Sequence, residues 1–157
     1  MILLINDVLS GDDVAKVTDK LAAIKFVDGT TTAGWHAKLV KNNLQADRQQ
    51  PEYAPLNKAV TDALLRHPVF RMAARPRHIT PLLFSRYRDA MEYGTHVDDP
   101  IMYNMRSDIS FTLALADPSS YDGGELVMET SGGEQSYKLK PGQMIMYPPT
   151  TLHRVTP

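Results

Sequence analysis

Apolar positions recur with a helical period in the N-terminal half of the chain and with a strand-like period in the C-terminal half. After Ser10-Gly-Asp-Asp13, the residues Val14, Val17, Leu21 and Ile24 fall on one face of a helix, with Ser10 as its N-cap and acids in its first turn. Residues 26 to 44 are mixed, broken at Asp28-Gly29 and Ala33-Gly34, and predict strand and loop. Pro55 opens a second helical pattern through Leu56, Ala59, Val60, Ala63 and Leu64, which ends at His67-Pro68.

From about Ile79 the texture becomes short alternating or apolar runs: 81–88, 108–115, 125–129, 134–139, 143–147 and 152–155. Turn residues separate them at Asp117-Pro118, Asp122-Gly-Gly124, Ser131-Gly-Gly133, Pro141-Gly142 and Pro148-Pro149. Helices followed by strands predict an α+β fold in which helices pack against a β-sandwich of the jelly-roll kind. One domain is expected over residues 1–157, with 1–78 as helical support and 79–157 as the jelly-roll core; no repeat or linker divides it.

Composition narrows the chemistry. The chain has 43% hydrophobic and 22% charged residues and a formal net charge of -1, an ordinary globular balance with no field that favours nucleic acid. Cysteine is absent, so disulfides, thiolate metal sites, iron–sulfur clusters and a cysteine nucleophile are all excluded. Any metal must be held by His, Asp or Glu. The apolar run at the N-terminus is short and lacks a basic flank, a poor signal peptide, and no stretch reaches the length of a membrane span. A cytoplasmic location is the expectation, and it suits a ferrous site.

Two of the five histidines stand out. In Tyr93-Gly-Thr-His96-Val-Asp98, one residue separates His96 from Asp98, so extended backbone projects both side chains from the same face, with Val97 pointing the other way. His153, in Leu152-His153-Arg154-Val155, supplies a third ligand from a later strand. Two His and one carboxylate leave open positions on an octahedron, the facial arrangement of non-haem Fe(II) oxygenases. His36, His67 and His78 read as structural or surface residues.

Several spaced motifs then point to a family. Phe84-Ser-Arg-Tyr87, Tyr93-Gly-Thr-His96-Val-Asp98, Met105-Arg-Ser-Asp-Ile-Ser-Phe-Thr112, Tyr121-Asp-Gly-Gly-Glu-Leu126, Lys140-Pro-Gly142 and Tyr147-Pro-Pro-Thr-Thr-Leu-His-Arg-Val155 together resemble the PKHD-type hydroxylases, relatives of the prolyl 4-hydroxylases. The resemblance extends upstream through Asp28-Gly29, Ala33-Gly34 and Lys41-Asn-Asn-Leu-Gln45. It implies a double-stranded β-helix with N-terminal supporting helices. It also implies an Fe(II)- and 2-oxoglutarate-dependent dioxygenase, with ascorbate as a further cofactor, that hydroxylates a carbon of a peptidyl, prolyl-like or small-molecule substrate and releases succinate and CO2.

By that resemblance His96, Asp98 and His153 hold the iron, and Tyr87 matches a tyrosine beside the bound 2-oxoglutarate, its other reading being a half-buried strand aromatic. Gly123, Gly124 and Glu125 are assigned to turn geometry. The family places an arginine about ten residues beyond the distal histidine, where it pairs with the far carboxylate of 2-oxoglutarate. This sequence stops at Pro157, so the chain reads as lacking its last strand. Within it, Arg106 and Arg154 are the candidate cations: Arg106 matches an arginine at the mouth of the site, whereas Arg154, next to His153, should face away from the metal. The competing class is a cupin-like jelly-roll metal-binding protein without 2-oxoglutarate turnover.

Overall fold

Ser10 starts the first helix as its position predicts: its side chain accepts a hydrogen bond from the Asp13 amide, and Val14, Val17 and Leu21 are buried along one face. The computed structural model describes all 157 residues. In chain order the elements are β1 (Leu3–Ile5), α1 (Gly11–Ala23), β2 (Phe26–Asp28), β3 (Lys41–Asn42), β4 (Leu44–Ala46), α2 (Tyr53–Arg66) and α3 (Pro68–Ala74). There follow β5 (Ser85–Arg86), β6 (Glu92–His96), β7 (Ile101–Met102), β8 (Met105–Arg106), β9 (Ser110–Leu113), β10 (Leu126–Thr130), β11 (Gly133–Tyr137), β12 (Met144–Tyr147) and β13 (His153–Val155).

The strands form four antiparallel sheets, ordered β11-β10-β13-β6-β3, β1-β12-β9, β2-β4-β5 and β7-β8. Strand β12 is the shared wall of the molecule. Because its side chains alternate, Met144 and Met146 enter the large core with the helices, while Ile145 and Tyr147 enter a smaller core with Leu126 and Met128 of β10. Both faces are covered, and all four residues are buried. This arrangement confirms helices packed on antiparallel sheets, the α+β architecture predicted from the pattern.

The division near residue 78 is not a division between helix and sheet. Strands β1, β2, β3 and β4 all lie before it, and β1 pairs with β12 while β3 pairs with β6. The N-terminal apolar run is thus a strand, too short for its period to announce it. His67-Pro68 ends α2 but also begins α3: the His67 ring accepts from the Phe70 amide, and Pro68 occupies the first turn, where its missing N–H costs nothing. The β7–β8 hairpin turns through Tyr103 and Asn104, both at positive φ, without the glycine that would have marked it. The expected strand over 81–88 shrinks to Ser85–Arg86, because its first part is tied to α2 by Tyr53 and Asn57, which bond the Leu82 carbonyl and amide.

Gly142 joins the N-terminal segment to β12. Its carbonyl accepts from the Val8 amide at 2.9 Å, its φ is +81°, and a Cβ there would lie 2.3 Å from the Leu9 carbonyl oxygen. Gly142→Ala is therefore expected to destabilise the fold by about 2 kcal/mol or more, read as a lower midpoint in urea denaturation with an unchanged slope.

Candidate metal centre

His96 closes β6 and His153 opens β13, and the ladder sets the two directly opposite each other. Residues paired across an antiparallel ladder present side chains to the same face, and this face looks between the sheets, where Met128 of β10 pairs with His153. Both histidines are buried. Strand β6 ends at His96, so Asp98 is held by the loop that follows, its amide donating to the Pro149 carbonyl at 2.9 Å. The Pro148-Pro149 break thereby positions a carboxylate from a distant segment. Val97, just beyond the end of the strand, is exposed.

These three side chains converge closely enough to hold a metal ion. Asp98 Oδ1 lies 3.7 Å from His96 Nε2 and 3.7 Å from His153 Nε2, and the candidate ligand atoms all fall within 4.8 Å of one another. Each imidazole bonds a main-chain carbonyl two residues upstream at 2.8 Å: His96 Nδ1 to Gly94 and His153 Nδ1 to Thr151. A carbonyl can only accept, so Nδ1 carries the proton and Nε2 is left with a lone pair aimed at Asp98. Outer bonds of this kind fix the ring and its tautomer in metal sites. Two neutral imidazoles and one carboxylate suit a divalent first-row ion.

Electrostatics match. Burial lowers the His153 pKa below 6.5, outweighing the opposing pull of Asp98, and so favours the neutral ligand form. Burial raises the Asp98 carboxyl, but its interactions with the two histidines that face it outweigh this and hold the group below its usual range. Tyr147 lies edge-on to His153, its hydroxyl 3.4 Å from Nε2, and its phenol is pushed well up by burial.

A register shift in β6 adds a residue that sequence pattern alone does not reveal. His153 pairs with His96 but Val155 pairs with Tyr93, so three residues of β6 span two of β13. The extra residue returns Tyr93 to the His96 face, where the rings stack at 3.6 Å. Gly94 permits this bulge against β3: its amide donates to the Val40 carbonyl at 2.8 Å, and a Cβ would meet the Val40 side chain at 2.8 Å. Lys41, opposite Tyr93 on β3, then lies on the same face with its ammonium 5.1 Å from the Tyr93 ring centre. Neither Tyr93 nor Lys41 was among the candidates read from the sequence.

Tyr87 stands near this group, accepting a hydrogen bond from the Asn43 amide at 2.9 Å, and burial pushes its phenol up to about 12. Arg106 lies on the exposed β8 strand, paired with Asp108 at 2.6 Å, and no hydrogen bond or ion pair joins it to the triad. Arg154 faces away from the triad, as expected, in a two-pronged pair with Glu134 of β11 at 2.6 and 2.8 Å. Glu125 closes its turn by accepting from Thr156 at 2.6 Å. His36 and His78 are exposed, and His67 caps α3.

Comparison with known proteins gives a consistent set of relatives. A family model described as the 2OG-Fe(II) oxygenase superfamily matches residues 82–157. The chain is 50% identical over 158 residues to a PKHD-type hydroxylase of Crocosphaera subtropica, covering 99% of this chain and 71% of that protein. A PKHD-type hydroxylase of Klebsiella pneumoniae is 48% identical over 158 residues, covering 98% and 70%. A solved prolyl-4-hydroxylase of Pseudomonas putida superposes with a TM-score of 0.64 at 18% identity, over 99% of this chain and 84% of that one. An oxidoreductase of the 2OG-Fe(II) oxygenase family from Burkholderia pseudomallei gives 0.63 at 15% identity, over 98% and 76%. At these identities the two structures speak for the fold alone.

The lowered pKa of His153 has a measurable consequence. A group whose pKa is depressed on folding takes up its proton only below the unfolded value, so His153 stays largely neutral at pH 6.5 and, as a candidate ligand, is protonated only as pH falls past its lowered pKa. Mn(II) affinity measured by calorimetry should therefore change little from pH 7.5 to 6.5 and then fall, with proton uptake opposing the metal. His153→Ala should remove stoichiometric binding at every pH.

Proposed function

As a PKHD-type hydroxylase within the 2OG-Fe(II) oxygenase superfamily, the chain is a 2-oxoglutarate-dependent non-haem iron dioxygenase that uses Fe(II), 2-oxoglutarate and ascorbate, and we propose that His96, Asp98 and His153 hold its iron. The observation that carries this assignment is the pair of Nδ1-to-carbonyl bonds that leave both Nε2 lone pairs aimed at the Asp98 carboxylate. With Fe(II) and 2-oxoglutarate bound, the site supplies activation of dioxygen, giving a hydroxylated substrate carbon, succinate and CO2. Asp98 would offset part of the metal charge, and His96 and His153 would supply the two neutral nitrogen ligands. Tyr93 and Tyr147 flank the histidine rings and exclude water from that side.

In this reading the antiparallel sheets belong to a double-stranded β-helix, with the metal between its layers. Tyr87 lies beside the 2-oxoglutarate, supported by its bond to Asn43. Arg106, held on an exposed hairpin by Asp108, belongs to the rim. The substrate is a peptidyl, prolyl-like residue or a small molecule, a reading supported by the likeness to a protein titled prolyl-4-hydroxylase. No helix is long and apolar enough to cross a membrane; a cytoplasmic location is the reading that suits a ferrous site.

Succinate release from 2-oxoglutarate under Fe(II), ascorbate and dioxygen tests the assignment. Parent protein should turn over slowly even without added substrate, and His96→Ala and Asp98→Ala should each abolish succinate while retaining the parent melting behaviour. Equal succinate from parent and His96→Ala would sink it.

A further inference from the structure

Charge is not spread evenly along the chain. Residues 63–88 contain six arginines, Arg66, Arg71, Arg75, Arg77, Arg86 and Arg88, and no aspartate or glutamate, although the formal net charge of the whole chain is -1. The remaining residues are therefore collectively acidic. Four of the six fall within 66–77, where α2 ends and α3 runs, and all four are exposed. None of the four has an ion-pair partner. The arginines outside the run are all engaged: Arg48 with the Tyr103 hydroxyl, Arg106 with Asp108 and Arg154 with Glu134. Cations near a helix C-terminus offset its dipole, and Arg66, Arg71 and Arg75 stand at the ends of α2 and α3. That effect does not call for the loss of every carboxylate from so long a run.

The same surface is apolar as well as cationic. Met72 is 73% exposed, Leu65 42% and Val69 39%. Pro68, Arg71, Met72 and Arg75 line one open hollow, and Arg71 and Arg75, four residues apart, project on the same side of α3. Phe70 anchors the helix from behind, buried edge-on to Phe111 in the core that holds Met144 and Met146. That core lies across β12 from Tyr147, so the surface is separate from the metal centre.

We infer that this face of α3 is a docking surface for an acidic segment of a polypeptide. Arg71 and Arg75 pair with Asp or Glu carboxylates through their guanidinium forks, and Pro68 and Met72 receive an apolar side chain between them. The composition of the surface favours a polypeptide over nucleic acid. Phosphates gain nothing from exposed Leu65, Val69 and Met72, and the one aromatic residue between 63 and 78, Phe70, is buried and cannot stack on a base. The inference is independent of the iron assignment.

Fluorescence anisotropy on the whole chain tests it. The probes are a labelled peptide repeating Glu-Glu-Leu-Ser and its uncharged counterpart repeating Gln-Gln-Leu-Ser, with oligouridylate and phosphatidylglycerol vesicles as competitors. The acidic peptide should bind the parent, less tightly as salt is raised, and the uncharged one should not. Arg71→Gln/Arg75→Asn should weaken the acidic peptide roughly 10-fold, the scale of two exposed charge pairs. Its Tm should stay within about 2 °C of the parent, because Gln suits a helix and Asn suits the left-handed backbone that Arg75 adopts. Arg75→Asn alone should cost about threefold with Tm unchanged. Lys16→Gln/Lys20→Gln, which removes the same charge from exposed positions of α1, should change affinity by less than about twofold. No binding by the parent, an equal loss in the α1 variant, or equal binding of the uncharged peptide overturns the inference. So does a lower Tm with unchanged affinity, the mark of a helix-end role. Displacement by oligouridylate or by vesicles more readily than by unlabelled acidic peptide overturns the choice of a polypeptide partner.

Discussion

The ladder between β6 and β13 is the constraint on which the site depends. A strand presents alternate residues to opposite faces, so a one-residue slip reverses every side chain. Direct pairing of His153 with His96 puts both rings between the sheets, and the extra residue in β6 brings Tyr93 back to the same side two pairs later. Without that bulge Tyr93 would leave His96, and Lys41 would lose the aromatic face it now approaches. Gly94 allows the bulged strand to lie against Val40, and its carbonyl orients the His96 ring. One residue thus links strand spacing, register and the tautomer of His96.

The packing that stabilises the sandwich also sets the chemistry. With apolar residues on both faces, β12 seals the inner space from solvent and carries Tyr147 to the edge of His153. Burial there favours neutral groups, lowering the His153 imidazole and raising the Tyr93 and Tyr147 phenols. A neutral imidazole is the form that binds a metal. Asp98 is held below the usual carboxylate range in the same surroundings because its loop lets it face both histidines, whose interactions with it outweigh its desolvation.

The support that the helices give is indirect. They pack on Met144 and Met146 of β12, opposite the face that carries Ile145 and Tyr147, so no helix reaches the triad. Their part is to hold one wall of the site rigid from behind. The N-terminal strand β1 extends that wall, which is why residues far from the triad in sequence bear on its shape.

Local chemistry was legible from the residues themselves. The cap at Ser10, the apolar stripe of α1, the alternating C-terminal runs and the His96–Asp98 spacing each follow from neighbours a few positions apart, and His153 was reached through the motif run around it. Elements too short to show a period, β1 and the β7–β8 hairpin, were not legible, nor was α3 behind a proline that served as both stop and start. The tertiary structure alone decided that a bulge turns Tyr93 inward, that a proline carbonyl from a distant loop holds Asp98, and that Lys41 lies buried beside Tyr93 while Arg106 stays at the surface. Those outcomes depend on which strands lie side by side and in what register. That is a relation between segments dozens of residues apart, and no local pattern encodes it.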